Sequence, residues 1–142
     1  MSRLSRVYSA ALIAVSLMTI TSGANDDYFV YVGSYTDAPS KAKGICAWRF
    51  MPSTAATTAL GLVAETINPA YVVATPDSRF LYATSWQTPV AARGDTVSAY
   101  AMDGKTGALK FLNKASTGGR FLNQVIVDPR RKIAVVTNYF AT

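Results

Sequence analysis

Gly44-Ile45-Cys46-Ala47-Trp48-Arg49-Phe50, followed after a turn by Ala59-Leu60-Gly61-Leu62-Val63-Ala64-Glu65, is a pair of short apolar runs that the chain writes a second time. The second copy is Thr96-Val97-Ser98-Ala99-Tyr100-Ala101-Met102, a shorter turn, and Ala108-Leu109-Lys110-Phe111-Leu112. Each copy continues through a proline turn into two further runs: residues 70–77 into 79–84, and residues 124–129 into 132–137. Ile45 and Val97 are 52 positions apart, and Pro76 and Pro129 are 53 apart. A repeat of roughly 40 to 50 residues with four short strands is the unit of a β-propeller blade. The spacing predicts an all-β chain carrying about two such blades.

Lettering the strands A to D from the propeller axis outward, residues 70–75 are A, 79–85 are B, 96–102 are C and 108–114 are D. A second A falls at 123–128 and a second B at 132–138. Residues 28–35 align, 51 positions earlier, with 80–86, so the first blade begins at strand B with no A strand before it. Tyr71-Val72-Val73-Ala74 and Val125-Ile126-Val127 are continuous apolar runs, the pattern of strands buried on both faces. Asp77, Asp103 and Asp128 lie in A–B and C–D links, where Asx-type turns account for them; Arg130 and Arg131 share that face as solvent charges.

Antiparallel order then sorts the loops. D–A and B–C loops share one face, comprising residues 36–43, 66–69, 86–95 and 116–122; they are longer and more varied than the turns opposite. A rigid scaffold that positions loops concentrates binding residues there. Arg120, Asn123, Gln124, Asn138 and Tyr139 fall near the channel mouth on this face, as ligand contacts or as blade-to-blade hydrogen bonds. Asp37, Glu65 and Asp95 are the acids closest to it, Glu65 or Asp95 available as a base, yet nothing in the sequence pairs or activates them.

Composition narrows the chemistry. The 142 residues are 50% apolar and contain no histidine, which excludes Ser-His-Asp and Cys-His catalysis and every His-containing zinc site. The acids are dispersed singly except for Asp26-Asp27, so no metal site or cofactor is expected. Cys46 is the single cysteine, which rules out an internal disulfide; on a strand it reads as a packed thiol rather than a nucleophile. The formal charge is +6, or +4 without Arg3 and Arg6, scattered as a solvated surface rather than a nucleic-acid stripe.

Residues 1–24 read as a secretory signal peptide, with Arg3 and Arg6 ahead of an apolar stretch over 7–20 and small residues at Ser22-Gly23-Ala24. The apolar stretch is 14 residues, short of the roughly 20 that span a bilayer as a helix, and an uncleaved anchor is the alternative. The expectation is an exported protein, periplasmic or extracellular, with no stable membrane anchor after cleavage. Residues 25–142 then form a partial propeller, and the remaining blades are needed to close a ring that typically takes four to eight.

Val30-Tyr31-Val32-Gly33-Ser34-Tyr35-Thr36, Asn68-Pro69-Ala70-Tyr71 and Pro76-Asp77-Ser78-Arg79-Phe80-Leu81-Tyr82 resemble the seven-bladed propeller lactonase family, typified by 6-phosphogluconolactonase. Val97-Ser98-Ala99-Tyr100, Thr106-Gly107-Ala108-Leu109, Gly118-Gly119, Val127-Asp128-Pro129 and Thr137-Asn138-Tyr139 extend the resemblance over essentially all of residues 25–142. It implies hydrolysis of a small-molecule sugar-acid lactone, with an arginine such as Arg120 suited to a phosphate. Relatives typically carry a Pro-Cys-His-like stretch where this chain has Leu122-Asn123-Gln124, which puts Gln124 in the histidine's place; where relatives often place an acid after Asn, it has Ser85-Trp86. Gln124 donates and accepts hydrogen bonds but takes no proton near neutral pH. An exported, non-catalytic binding scaffold, the isolated fragment being inactive, therefore stands beside hydrolysis.

Overall fold

The structure is a computed structural model and describes residues 19–21, 27–87, 94–128, 130 and 133–141. Among them every regular element is a strand. The first sheet has the order β1 (Thr19–Thr21), β2 (Tyr28–Gly33), β3 (Gly44–Met51) and β4 (Ala56–Glu65). The second has β5 (Val72–Ala74), β6 (Phe80–Ser85), β7 (Thr96–Met102) and β8 (Leu109–Ser116). A third pairs β9 (Gly119–Val127) with β10 (Ala134–Ala141). All neighbours are antiparallel, so two four-stranded blades and the inner half of a third follow in chain order.

Alternation within each strand sends one set of side chains to the next sheet. Phe29, Tyr31, Ile45 and Ala47 from the first sheet meet Val72, Ala74, Leu81, Ala83 and Tyr100 from the second in one core. Leu60, Val63, Ala64, Met102 and Leu109 seal its margin. The D strands β4 and β8 are mostly exposed, as outer strands of a blade should be.

Two expectations are corrected. The first sheet does not begin at strand B: Thr19–Thr21 pairs with Tyr28–Val30 in the innermost position. The edge of β2 otherwise presents a row of unpaired N–H and C=O groups, and a short Thr-Ile-Thr segment fills it. The remaining residues of the leader reading, 1–18 and 22–24, lie outside the described residues, as do Pro129, Arg131 and Lys132. Nor is the second A strand buried on both faces: Ile126 in β9 is 54% exposed, while Leu122 and Val125 are fully buried against the second sheet. Burial on both faces requires a sheet on each side, and among the described residues β9 has one.

On the turn face the carboxylates close their own loops. Asp77 Oδ1 accepts from Thr75 Oγ1 at 2.6 Å and from the Arg79 N–H at 3.3 Å. Asp128 Oδ1 accepts from the Arg130 N–H at 2.9 Å. Asp103 Oδ1 accepts from the Lys105 and Thr106 N–H groups at 2.8 and 3.1 Å, which holds its carboxyl below the usual carboxylate value.

The Asp103 turn also locks the second sheet onto the first. Tyr31 Oη donates to the Gly107 carbonyl at 2.9 Å, and Arg49 Nη2 donates to the Lys105 carbonyl at 2.8 Å with its guanidinium over the Phe29 ring. Gly107 has φ +75°, and a Cβ there would lie 2.6 Å from Phe29 Cδ1 and 2.8 Å from Leu60 Cδ1. Both backbone conformation and space demand glycine. Gly107→Val should therefore cost on the order of 2 kcal/mol or more, read as a lowered urea midpoint. Burial, and secondarily the Asp103 carboxylate, pushes the Tyr31 phenol from its ordinary 10.0 up to about 12. The protonated phenol is the form the fold favours, so this stabilisation is complete below pH 10 and is lost as pH rises toward 12. Alkaline unfolding should be less steep across that window in Tyr31→Phe than in the wild type.

Candidate functional site

The loop face is organised by two buried side chains. Asn68, between β4 and β5, sits in the left-handed region at φ 41°, which asparagine tolerates better than most residues. Its Oδ1 accepts from the Thr36 N–H at 2.8 Å and from Thr36 Oγ1 at 3.1 Å, and its own N–H donates to Thr36 Oγ1 at 3.2 Å. Its Nδ2 donates to Asp37 Oδ2 at 2.9 Å, and its carbonyl accepts from the Trp86 N–H at 3.3 Å. The loop leaving the first sheet's B strand is thereby bound to the approach of the second sheet's A strand.

Asp95 repeats the device one blade on. It is 5% exposed; Oδ1 accepts from the Gln87 N–H at 3.0 Å and Oδ2 from the Leu122 N–H at 2.8 Å. Trp86 Nε1 donates to the Leu122 carbonyl at 2.6 Å, so both backbone groups of Leu122 are held from the second sheet. The neighbouring Phe121 adopts φ 54°, an unfavourable value for a bulky residue, and these bonds to Leu122 fix the backbone beside it.

A ladder of rings crosses the same face. Tyr35, Trp86, Phe121 and Phe140 meet edge to face at centroid separations of 5.4, 5.5 and 5.5 Å. Tyr35 and Trp86 occupy equivalent repeat positions, 51 residues apart. Partial burial, then the Asp37 and Asp95 carboxylates, raise the Tyr35 phenol above its ordinary value. At the outer rim, Thr36, Ala42, Lys43, Glu65, Thr66 and Ile67 line an open groove of about 560 Å³.

The five residues singled out in the sequence are placed as follows. Gln124 is half-buried and brings Nε2 to 3.5 Å from Tyr71 Oη. Arg120 is half-buried with its guanidinium 5.6 Å from the Phe121 ring centroid. Asn138 Oδ1 accepts from Thr117 Oγ1 at 3.2 Å, and its side chain covers Gly119, where a Cβ would meet Nδ2 at 2.5 Å. Tyr139 is 69% exposed. Asn123 is exposed at a bulge, because Thr137 faces Gln124 while Asn138 faces Leu122. The structure thus joins Gln124 to Tyr71, and Asn138 to a hydrogen bond between β10 and the β8–β9 link.

Sequence reasoning passed over Tyr71, Asn68 and Thr117. A signal for Tyr71 existed: it precedes Gln124 by 53 positions, the same interval that separates the two turn prolines. Asp37 and Asp95 are committed to holding loops, while Glu65 lies in the rim groove. Among the described residues no three acidic or thiol side chains converge to hold a metal ion. Chemically the inner part of the face offers a phenol, a carboxamide and a guanidinium, all of them hydrogen-bond donors.

A family model described as a lactonase, seven-bladed β-propeller, matches residues 29–142. Among curated proteins the chain is 30% identical over 112 residues to a 6-phosphogluconolactonase of Bacillus subtilis, covering 79% of this chain and 30% of that one. It is 27% identical over 110 residues to a 6-phosphogluconolactonase of Formosa agariphila, covering 78% and 30%. A crystal structure of a Bacteroides uniformis protein superposes with TM-score 0.70 at 31% identity, covering 82% of this chain and 32% of that one. The periplasmic gluconolactonase of Pseudomonas aeruginosa shares the fold at TM-score 0.70 and 22% identity, covering 80% and 31%. The chain spans about 30% of the length of the curated relatives it matches.

The Asp95 bonds make a direct forecast. Asp95→Asn retains one acceptor oxygen but turns an NH₂ group toward either the Gln87 or the Leu122 amide. It should lower stability by about 1–3 kcal/mol, with a reduced urea midpoint and an unchanged slope.

Proposed function

The chain belongs to the seven-bladed β-propeller lactonase family, and we propose that its repeats supply part of a ring that opens a sugar-acid lactone to the free acid. The observation that carries this reading is the family match over residues 29–142, and both curated relatives named above bear the name of a lactone-opening enzyme. In that reaction water adds to the acyl carbon, the carbonyl electrons move onto oxygen, and their return expels the ring oxygen, which takes up a proton. A protein accelerates it by polarising the carbonyl and positioning the water. Arg120 is the donor we assign to a phosphorylated substrate, its fork matching a phosphate edge and its plane supported by Phe121. We assign Asn123, Asn138 and Tyr139 to sugar hydroxyls as polar groups of the same face. The rest of the ring comes from further blades, and no cofactor is called for by this chemistry.

Export is part of the proposal, supported by the Arg3, Arg6 and apolar pattern of the N-terminal segment; cleavage after residue 24 would remove Thr19–Thr21 from the first sheet and leave the β2 edge open. Among the described residues no helix is long and apolar enough to cross a membrane. Gln124, standing where the family pattern has a histidine, favours a second reading: an exported propeller that binds a sugar acid without turning it over.

Proton release in weak buffer separates the two. Hydrolysis predicts that the protein opens glucono-1,5-lactone or its 6-phosphate faster than buffer alone; binding of gluconate without acceleration supports the scaffold. Arg120→Ala should weaken 6-phosphogluconate about 10-fold or more, the scale of a lost charge-assisted hydrogen bond, and leave gluconate within about twofold, as read by calorimetry.

A further inference from the structure

We propose that Tyr71 and Gln124 form a two-donor cradle for the carbonyl or carboxylate oxygen of the bound lactone or acid; the inference rests on the sugar-acid reading above and deepens it. The two residues are equivalents in successive repeats, 53 positions apart, Tyr71 at the loop-face end of one innermost strand and Gln124 within the next. Tyr71 immediately precedes β5 and Gln124 lies within β9. Their polar tips converge, with Gln124 Nε2 3.5 Å from Tyr71 Oη. That separation is at the long limit of a hydrogen bond, so the direct bond is weak. A ligand oxygen seated against both tips, at about 2.8–3.0 Å from each, gives the carboxamide N–H a better acceptor than the Tyr71 oxygen and gives the phenol O–H an acceptor as well.

The support beneath the pair is fixed on both sides. The Tyr71 N–H donates to Thr84 Oγ1 at 2.9 Å, and the Thr84 N–H donates to the Tyr71 carbonyl at 2.9 Å. Gln124 pairs with Thr137 beside the Asn123 bulge, while Leu122 is held by Asp95 and Trp86. Donors held in place before the ligand arrives are what an oxygen acquiring negative charge requires. In a chain without histidine, this cradle stabilises charge on the acyl oxygen and carries no proton; water supplies both the attacking oxygen and the proton that the ring oxygen takes.

The test uses the ring-closed protein, this chain together with the further blades, labelled with ¹³Cζ-tyrosine, titrated with sodium gluconate and assayed separately with glucono-1,5-lactone. One tyrosine resonance, missing from Tyr71→Phe, should move as gluconate is added. Tyr71→Phe should weaken gluconate about 3- to 10-fold, and Gln124→Leu should do the same. Where turnover is present, Tyr71→Phe should lower kcat about 10-fold or more with KM within about twofold. No turnover with a responsive Tyr71 resonance removes the hydrolase reading and supports the cradle. Turnover with an unmoved Tyr71 resonance and unchanged kinetics in Tyr71→Phe overturns the cradle and leaves the hydrolase reading standing. A loss in Tyr71→Phe that Gln124→Leu does not share overturns the pair as a unit, and absence of gluconate binding overturns the cradle outright.

Discussion

Everything in this chain depends on the face-to-face packing of successive twisted sheets. A four-stranded sheet pairs the backbone between its strands but leaves an apolar face that another sheet must cover. Phe29, Tyr31 and Ile45 find that cover in Val72, Leu81 and Tyr100, and the contact is secured at its two ends by different chemistry. On the turn face Tyr31 and Arg49 bind backbone carbonyls of the Asp103 turn. On the loop face Asn68 holds the first sheet's loop to the second sheet's inner strand. The third sheet repeats the arrangement through Asp95 and Leu122.

This division separates a fixed framework from the residues proposed to meet a ligand. Its polar framework is buried and mutually satisfied at Asn68 and Asp95, so the loops are held without the residues nearer the axis. Tyr71, Gln124 and Arg120 are only half-buried; among the described residues Gln124 approaches Tyr71 at 3.5 Å and Arg120 lies against a ring. Side chains in that condition are positioned yet still have bonding capacity toward oxygen-rich molecules. Asn138, by contrast, is drawn into a bond with Thr117 and packs on Gly119, so it contributes to holding β10 as much as to any ligand.

Much of the fold was legible because a strand's period of two and a turn's Asp-Pro-Gly chemistry are local properties. β7 falls where the spacing placed it, at Thr96–Met102, and Asp77, Asp103 and Asp128 close turns as their side chains allow. Less was legible at the sheet margins. Thr19–Thr21 pairs with β2 although its sequence continues an apolar leader-like stretch, because pairing depends on an available edge rather than on composition. The Asn123 bulge was equally hidden, since it arises from the register between β9 and β10 and leaves no mark on either run.

The sequence by itself determined the repeat, the all-β class, the family pattern and the lack of histidine in these 142 residues, because each follows from residue identity and interval along the chain. Tertiary structure alone decided that Asp95 is buried to hold Leu122 rather than exposed as a base, and that Tyr71 reaches Gln124 across two inner strands. Those outcomes turn on which groups are brought within about 3.5 Å of one another in space, and residues 27 or 53 positions apart acquire that proximity only when the sheets pack.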